Sequence, residues 1–168
     1  MSHYPPSPPI RVLFVCMGNI CRSPAAEIVF RAMVESAGLQ NAVEIDSAGT
    51  IGYHRGSPPD HRMSRTLMAR GYQPHGSARQ VCVQDFCQFD LILPMDRENE
   101  ADLRRINPSA ERAEIRPFVS FCNGLNVDHV PDPYYGGSEG FEHVADIIEN
   151  GCAGLIRAIQ DQINEASS

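Results

Sequence analysis

"IRVLFVCMGNICRSPAAEIVFRAM", residues 10–33, is the stretch of this sequence that decides the fold. Its first seven residues, 10–16, form an apolar, β-branched run typical of a strand buried on both faces of a parallel sheet. Ser23 and Pro24 then give a helix start signal, a side-chain cap followed by proline, and apolar residues recur at helical spacing as far as Gly38. The stretch therefore predicts a strand, a short loop and a helix.

The same alternation returns along the rest of the chain. Further strands are predicted at residues 43–49, 89–96 and, more weakly, 113–118. Further helices are predicted at residues 58–71, 97–107 and about 141–164. Alternation of this kind predicts an α/β fold, with a parallel sheet, helices on both of its faces and a ligand crevice at the carboxyl ends of the strands.

Length and composition limit the partners and the location of the protein. The 168 residues predict a flexible proline-rich tail over residues 1–9 and a single domain over residues 10–168. A net charge of −7 argues against nucleic acid or an anionic membrane as a partner. No apolar run is long enough to span a bilayer and no secretory pattern is present, so the sequence favours a cytoplasmic location with free cysteine thiols.

The loop between the first strand and the first helix carries the chemistry. Cys16 ends the strand, while Gly18 and Asn19 tolerate the positive φ angles of a tight cradle whose N–H groups face an anion at the helix N-terminus. These donors and Arg22 favour the thiolate, and the planar guanidinium of Arg22 matches two phosphate oxygens. The loop therefore predicts attack by sulfur on phosphorus. The chain contains no lysine, so arginine must perform any phosphate binding.

A phosphoryl-transfer site also needs a proton donor for the leaving oxygen. The best candidate is Asp132, in the motif "VPDPYYGG" of a long predicted loop over about residues 120–140. Two prolines stiffen the backbone around this carboxyl. The alternative is that the Asp-Pro pair only forms a turn.

Four motifs together resemble the low-molecular-weight protein tyrosine phosphatases. They are "VCMGNICRSPAAE", "DSAGT", "DLILPMDRENEADL" and "DPYYGG", in this order, and the resemblance covers the chain from Ile10 onward. It implies a three-layer, Rossmann-like fold with a twisted four-stranded parallel sheet. It also implies hydrolysis of phosphotyrosine in proteins through a phosphocysteine intermediate, with no metal or cofactor, with inorganic phosphate or another oxyanion as ligand, and in a monomer or weak dimer.

Carried over residue by residue, the resemblance implies that Cys16 is the nucleophile, Arg22 the phosphate clamp and Asp132 the acid that later activates water. It implies a substrate-binding set of Met17, Gly18, Asn19, Ile20, Cys21, Ser23, Tyr53, Tyr134 and Tyr135. The three tyrosines of this set would form flat walls that suit an aryl phosphate.

Several members of this set have more specific implied roles. Asn19 would hold the shape of the loop, and Ser23 would donate a hydrogen bond to the thiolate. Cys21 would form a reversible disulfide with the nucleophile under peroxide, or would be only a small buried residue. His75 and Asp96 match supporting positions of the family, although a surface histidine and a helix-capping aspartate are equally good readings.

Three other functions remain open at this point. Arsenate reductases share the loop but use two more cysteines just after the third strand, whereas Cys82 and Cys87 lie before it. Protein arginine phosphatases usually carry threonine where this chain has Ile20. A non-catalytic module that only binds an anion would need no acid at Asp132.

Pro94 departs from the family pattern, because a small or sulfur-containing residue is expected near the end of the third strand.

Overall fold

The computed structural model describes residues 7–109 and 112–167. The strands are β1 (Ile10–Cys16), β2 (Val43–Gly49), β3 (Leu91–Pro94) and β4 (Glu114–Ile115). The helices are α1 (Arg22–Ser36), α2 (His61–Ala69), α3 (Asp85–Gln88), α4 (Arg97–Ile106) and α5 (Ser138–Ala166), with a 3-10 helix at Phe118–Phe121. Residues 1–6 of the predicted tail lie outside the described residues, and residues 7–9 form no regular structure. The division into a tail and one domain stays a prediction.

The four strands form one parallel sheet, as predicted, and their order in it is β2-β1-β3-β4. Residues 12–16 of β1 are fully buried because helices cover both faces of this central strand. Phe14 points to the face covered by α1 and α5, where its ring packs 5.7 Å from Phe30 and 6.0 Å from Phe118. Leu13 and Val15 point to the opposite face, toward α3 and α4.

The start of α1 differs from the prediction. The helix begins at Arg22, and its N-cap residue is Cys21, which makes no side-chain capping bond. The predicted cap at Ser23 is therefore wrong, because this hydroxyl is turned toward the sulfur of Cys16 instead. Asp60 does cap α2, accepting from the backbone N–H groups of Arg62 and Met63.

Other element boundaries differ by a few residues. Strands β3 and β4 are shorter than predicted, and α5 begins three residues earlier. The short helix α3 and the 3-10 helix were not expected from the sequence. Pro94 fits the end of β3 because the N–H of Met95 donates to Val15 of β1 at 3.0 Å, so the proline nitrogen faces the other side, where β4 pairs no further than Ile92.

Two close approaches depend on glycine. A Cβ atom at Gly49, where β2 ends, would lie 2.6 Å from the carbonyl oxygen of Met17, so glycine lets this strand end press against the loop after β1. In α5, a Cβ atom at Gly154 would overlap the carbonyl oxygen of Phe121, so glycine lets the 3-10 helix rest on α5. Among the described residues, none of the helices is both long and apolar enough to cross a membrane.

Candidate active site

The loop of residues 17–21 lies between the carboxyl end of β1 and the N-terminus of α1, at the crevice expected for this fold. Asn19 adopts a positive φ of 57°, the conformation that the Gly-Asn pair predicts. Its side chain fixes this turn from inside the protein, because Nδ2 donates to Ser23 Oγ at 2.8 Å and to Ser47 Oγ at 3.0 Å. Its Oδ1 accepts from the backbone N–H of Arg79 at 3.0 Å. Asn19 thus has the geometry of a loop-holding residue.

The thiol of Cys16 lies at the bottom of the site and is 2% exposed. Its Sγ is 3.0 Å from Ser23 Oγ. Because Ser23 Oγ already accepts a hydrogen bond from the side-chain amide of Asn19, its own proton is available to the sulfur. This arrangement matches the role that the family resemblance implies for Ser23.

Arg22 is 3% exposed and is held by the segments that follow β3 and precede α5. One nitrogen donates to Asp96 at 2.6 Å and to the carbonyl oxygen of Val130 at 3.1 Å. Burial alone would lower the pKa of Arg22, but Cys16 and two nearby carboxylates outweigh it and raise this pKa above its ordinary value. The guanidinium is therefore charged and fixed in the same cleft as the sulfur.

Asp132 reaches the same place from a distant part of the chain. Its Oδ2 lies 3.7 Å from the second terminal nitrogen of Arg22, and its Oδ1 accepts from the backbone N–H of Tyr134 at 3.0 Å. The side chain is 34% exposed, so water reaches the carboxyl. A carboxyl beside a guanidinium and a thiol can transfer a proton to or from a group bound between them.

These groups line one cleft at the protein surface. Its lining consists of Cys16, Met17, Gly18, Ile20, Cys21, Arg22, His54, Asp132, Tyr134 and Tyr135. The cleft thus brings together most of the predicted substrate-binding set, while Asn19 and Ser23 support it from behind through hydrogen bonds.

One wall of the cleft is formed by a different residue from the one expected. Tyr53 does not line the cleft and is 84% exposed. The adjacent His54 lies there instead, with its ring 6.1 Å from Tyr134 and 4.9 Å from Tyr53. A Cβ atom at Gly18 would lie 3.0 Å from the His54 ring, so this glycine admits the imidazole.

Cys21 lines the cleft but is otherwise buried. Burial raises the pKa of this thiol, and the negative charges of Asp60 and Cys16 raise it further. Cys21 is therefore a neutral thiol at physiological pH.

The two supporting positions have different outcomes. Asp96 both supports the site and caps a helix. Its Oδ2 accepts from Arg22, while its Oδ1 accepts from the backbone N–H of Asn99 at 2.7 Å and so caps α4. His75 is exposed, as the surface-histidine reading expects. Neither Cys82 nor Cys87 lines the cleft, and both are exposed.

Sequence reasoning missed two residues around the cleft. Nothing in the sequence pattern placed His54 at the cleft, apart from its position next to Tyr53. Arg62 stacks its guanidinium on the ring of Tyr134, with 5.3 Å between the guanidinium carbon and the ring centroid, and only the fold brings α2 to this segment. Within residues 7–109 and 112–167, no group of three or more His, Cys, Asp or Glu side chains is arranged to hold a metal ion.

Comparison with known proteins gives a consistent result. A profile of the family "Low molecular weight phosphotyrosine protein phosphatase" matches residues 11–165. The chain is 45% identical over 157 residues to the low molecular weight protein-tyrosine-phosphatase of Streptomyces coelicolor, covering 91% of this chain and 95% of that protein.

Solved structures agree with the sequence comparison. The crystal structure of protein tyrosine phosphatase from Entamoeba histolytica with Hepes in the active site aligns with a TM-score of 0.86 at 41% identity, over 91% of this chain and 98% of that one. The Drosophila arginine phosphatase aligns with a TM-score of 0.84 at 30% identity, over 89% and 98% of the two chains.

Proposed function

Because this chain belongs to the low molecular weight phosphotyrosine protein phosphatase family, we propose that it hydrolyses phosphotyrosine through a phosphocysteine at Cys16. The observation that carries the residue assignment is the meeting of three groups in one cleft. The sulfur of Cys16, the guanidinium of Arg22 and the carboxyl of Asp132 come from widely separated parts of the chain. A terminal nitrogen of Arg22 lies 3.7 Å from Oδ2 of Asp132. A loop that merely bound an anion would have no use for this carboxyl.

In the first step the phosphate lies in the loop, with its equatorial oxygens on the backbone N–H groups and on the guanidinium of Arg22. The sulfur of Cys16 attacks phosphorus, so the S–P bond forms as the bond from phosphorus to the tyrosine oxygen breaks. Asp132 gives its proton to that oxygen, which leaves as the neutral phenol. The aromatic rings of Tyr134 and Tyr135 flank the aryl group.

In the second step Asp132, now a carboxylate, accepts a proton from a water molecule whose oxygen attacks phosphorus. The S–P bond breaks and the electron pair returns to Cys16. Ser23, 3.0 Å from the sulfur, stabilises the departing thiolate by a hydrogen bond. Inorganic phosphate is the second product, and the protein returns to its initial state.

The test is hydrolysis of p-nitrophenyl phosphate and of a phosphotyrosine peptide. Wild-type protein should hydrolyse both, Cys16→Ser should hydrolyse neither, and Asp132→Ala should lose roughly 10²- to 10⁴-fold in kcat/KM on the peptide. Binding of phosphate without any turnover by the wild-type protein would support the anion-binding module instead.

Phosphoarginine is the second candidate substrate, because one structural neighbour is an arginine phosphatase. The apolar Ile20 and the aromatic wall of Tyr134 and Tyr135 favour the flat aryl ester. A comparison of kcat/KM for phosphotyrosine and phosphoarginine peptides distinguishes the two, and a higher value for phosphoarginine would overturn the preference.

We also propose that Cys21 protects the nucleophile from oxidation. Hydrogen peroxide converts the thiolate of Cys16 to a sulfenic acid, and attack by the sulfur of Cys21 forms a disulfide as water leaves with the Cys21 proton. Both cysteines line the cleft.

A cytoplasmic location is supported by the six unpaired cysteines. The monomer or weak dimer stays a prediction.

A further inference from the structure

Arg62, in the first turn of α2, is anchored next to the phosphate-binding loop. Its guanidinium donates to both carboxylate oxygens of Asp60, at 3.3 and 3.1 Å. The backbone N–H of Asp60 in turn donates to the carbonyl oxygen of Ile20, in the loop itself, at 2.7 Å. The position of Arg62 is thus tied to the loop that would bind phosphate.

The flat face of the same guanidinium contacts the other side of the cleft. Its central carbon lies 5.3 Å from the centroid of the Tyr134 ring and 4.8 Å from that of Phe141. Phe141 is buried at the start of α5, so it offers a fixed platform. Stacking of a cation on two rings attracts Tyr134 toward this platform.

Tyr134 in turn fixes the carboxyl of Asp132. The backbone N–H of Tyr134 donates to Asp132 Oδ1 at 3.0 Å, which leaves Oδ2 facing Arg22 at 3.7 Å. A shift of Tyr134 therefore moves the carboxyl relative to the sulfur and the guanidinium. Since Asp132 is partly exposed, this bond is an important restraint on its orientation.

We propose that Arg62 is a positioning residue, which holds the segment of residues 132–135 over the phosphate-binding loop and so aligns Asp132 for proton transfer. This inference rests on the proposed role of Asp132 as the acid. Arg62 does not line the cleft, so it acts through Tyr134 rather than on phosphate. The effect of Arg62 on kcat/KM should therefore be larger for a leaving oxygen that needs a proton than for one that leaves easily as an anion.

The experiment compares kcat/KM for two substrates, p-nitrophenyl phosphate, whose phenoxide leaves easily, and phenyl phosphate, whose phenoxide needs a proton. Arg62→Met keeps an apolar side chain against Phe141 but removes the fork and the charge. We expect a loss of about three- to thirtyfold on phenyl phosphate and a clearly smaller loss on p-nitrophenyl phosphate. Arg62→Lys should recover part of the loss, because an ammonium also stacks on a ring.

Arg65→Met is the matched control. Arg65 lies in the same helix, is exposed and pairs only with His61 among the contacts found for it, at 2.7 Å. The substitution Arg65→Met should leave kcat/KM unchanged for both substrates. Melting temperatures of the two Met variants show separately how much each change affects the fold.

A double-mutant cycle completes the test. In the Asp132→Ala background, Arg62→Met should cause no further loss that depends on the leaving group, because the misaligned group is already absent. Equal losses on both substrates, or losses that multiply with those of Asp132→Ala, would overturn the positioning role. If Asp132→Ala itself discriminated no better than wild type between the substrates, the acid assignment would fail, and this result is separate from the outcome for Arg62.

Discussion

The hydrogen bond from Ser23 to Cys16 predicts a defect confined to one step of the reaction. In Ser23→Ala the sulfur loses a donor 3.0 Å away, and the side chain amide of Asn19 loses its acceptor at 2.8 Å. Among the described residues, the proton of Ser23 has one other acceptor within reach, the carbonyl oxygen of Ala48 at 3.4 Å, so the short contact goes to the sulfur. The wild-type bond should be strongest when the sulfur carries the full negative charge.

The size of this effect follows from the charge on the sulfur. A hydrogen bond to an ionised group contributes about 1.5–3 kcal/mol, which corresponds to roughly 10- to 150-fold in rate. The loss should appear in the hydrolysis of the phosphocysteine, because there the sulfur departs as a thiolate. Formation of the phosphocysteine should suffer less, since a sulfur with one donor fewer is also a stronger nucleophile.

Rapid mixing with p-nitrophenyl phosphate separates the two steps. Ser23→Ala should release a burst of nearly one p-nitrophenol per protein, followed by slow turnover. Ser47→Ala is the matched control, because Ser47 also bonds Asn19 but stands away from the sulfur, and it should retain most of kcat. The reasoning is refuted if Ser23→Ala turns over within twofold of wild type, or if it slows without a burst.

Three more measurements test the redox role, the packing and the charge of individual residues. Dithiothreitol should restore activity to the peroxide-treated protein but not to Cys21→Ser, and equal recovery in both would contradict a protective disulfide. Gly154→Ala should lower the free energy of unfolding by about 1–3 kcal/mol in urea titrations, because the added methyl group overlaps the backbone at Phe121, and an unchanged midpoint would be the contrary result. Burial and a hydrogen bond to a carboxylate raise the pKa of Tyr72 from 10.0 to about 12. The stability that Tyr72 contributes should therefore be complete below pH 10.0 and be lost as the pH rises toward about 12, as alkaline unfolding of wild type and Tyr72→Phe will show.

The sequence predicted the parts of the fold that local chemistry determines. The buried strand before Cys16, the positive φ at Asn19 and the alternation of strands and helices all follow from residue type and spacing. The cap of α1 was predicted wrongly because Ser23 fits two roles. A serine before proline is a good cap, but its hydroxyl is used here by the sulfur, a contact between residues seven positions apart.

The unpredicted parts of the site depend on long-range packing. The direction of a side chain in a turn is set by backbone angles, so the sequence could not tell whether Tyr53 or His54 would face the cleft. The stacking of Arg62 on Tyr134 joins two segments that become neighbours only when α2 and α5 pack together. Charge and aromatic content alone gave no indication of that contact.

The distribution of the site along the chain has a consequence for biosynthesis. During translation, β1 and the loop after it emerge from the ribosome early, whereas the segment with Asp132 and helix α5 emerges late. Because α5 covers the apolar face of α1, the nascent chain carries that surface uncovered until translation of α5 is complete. A chain truncated before α5 would keep this apolar surface uncovered, so truncated products of interrupted translation should aggregate.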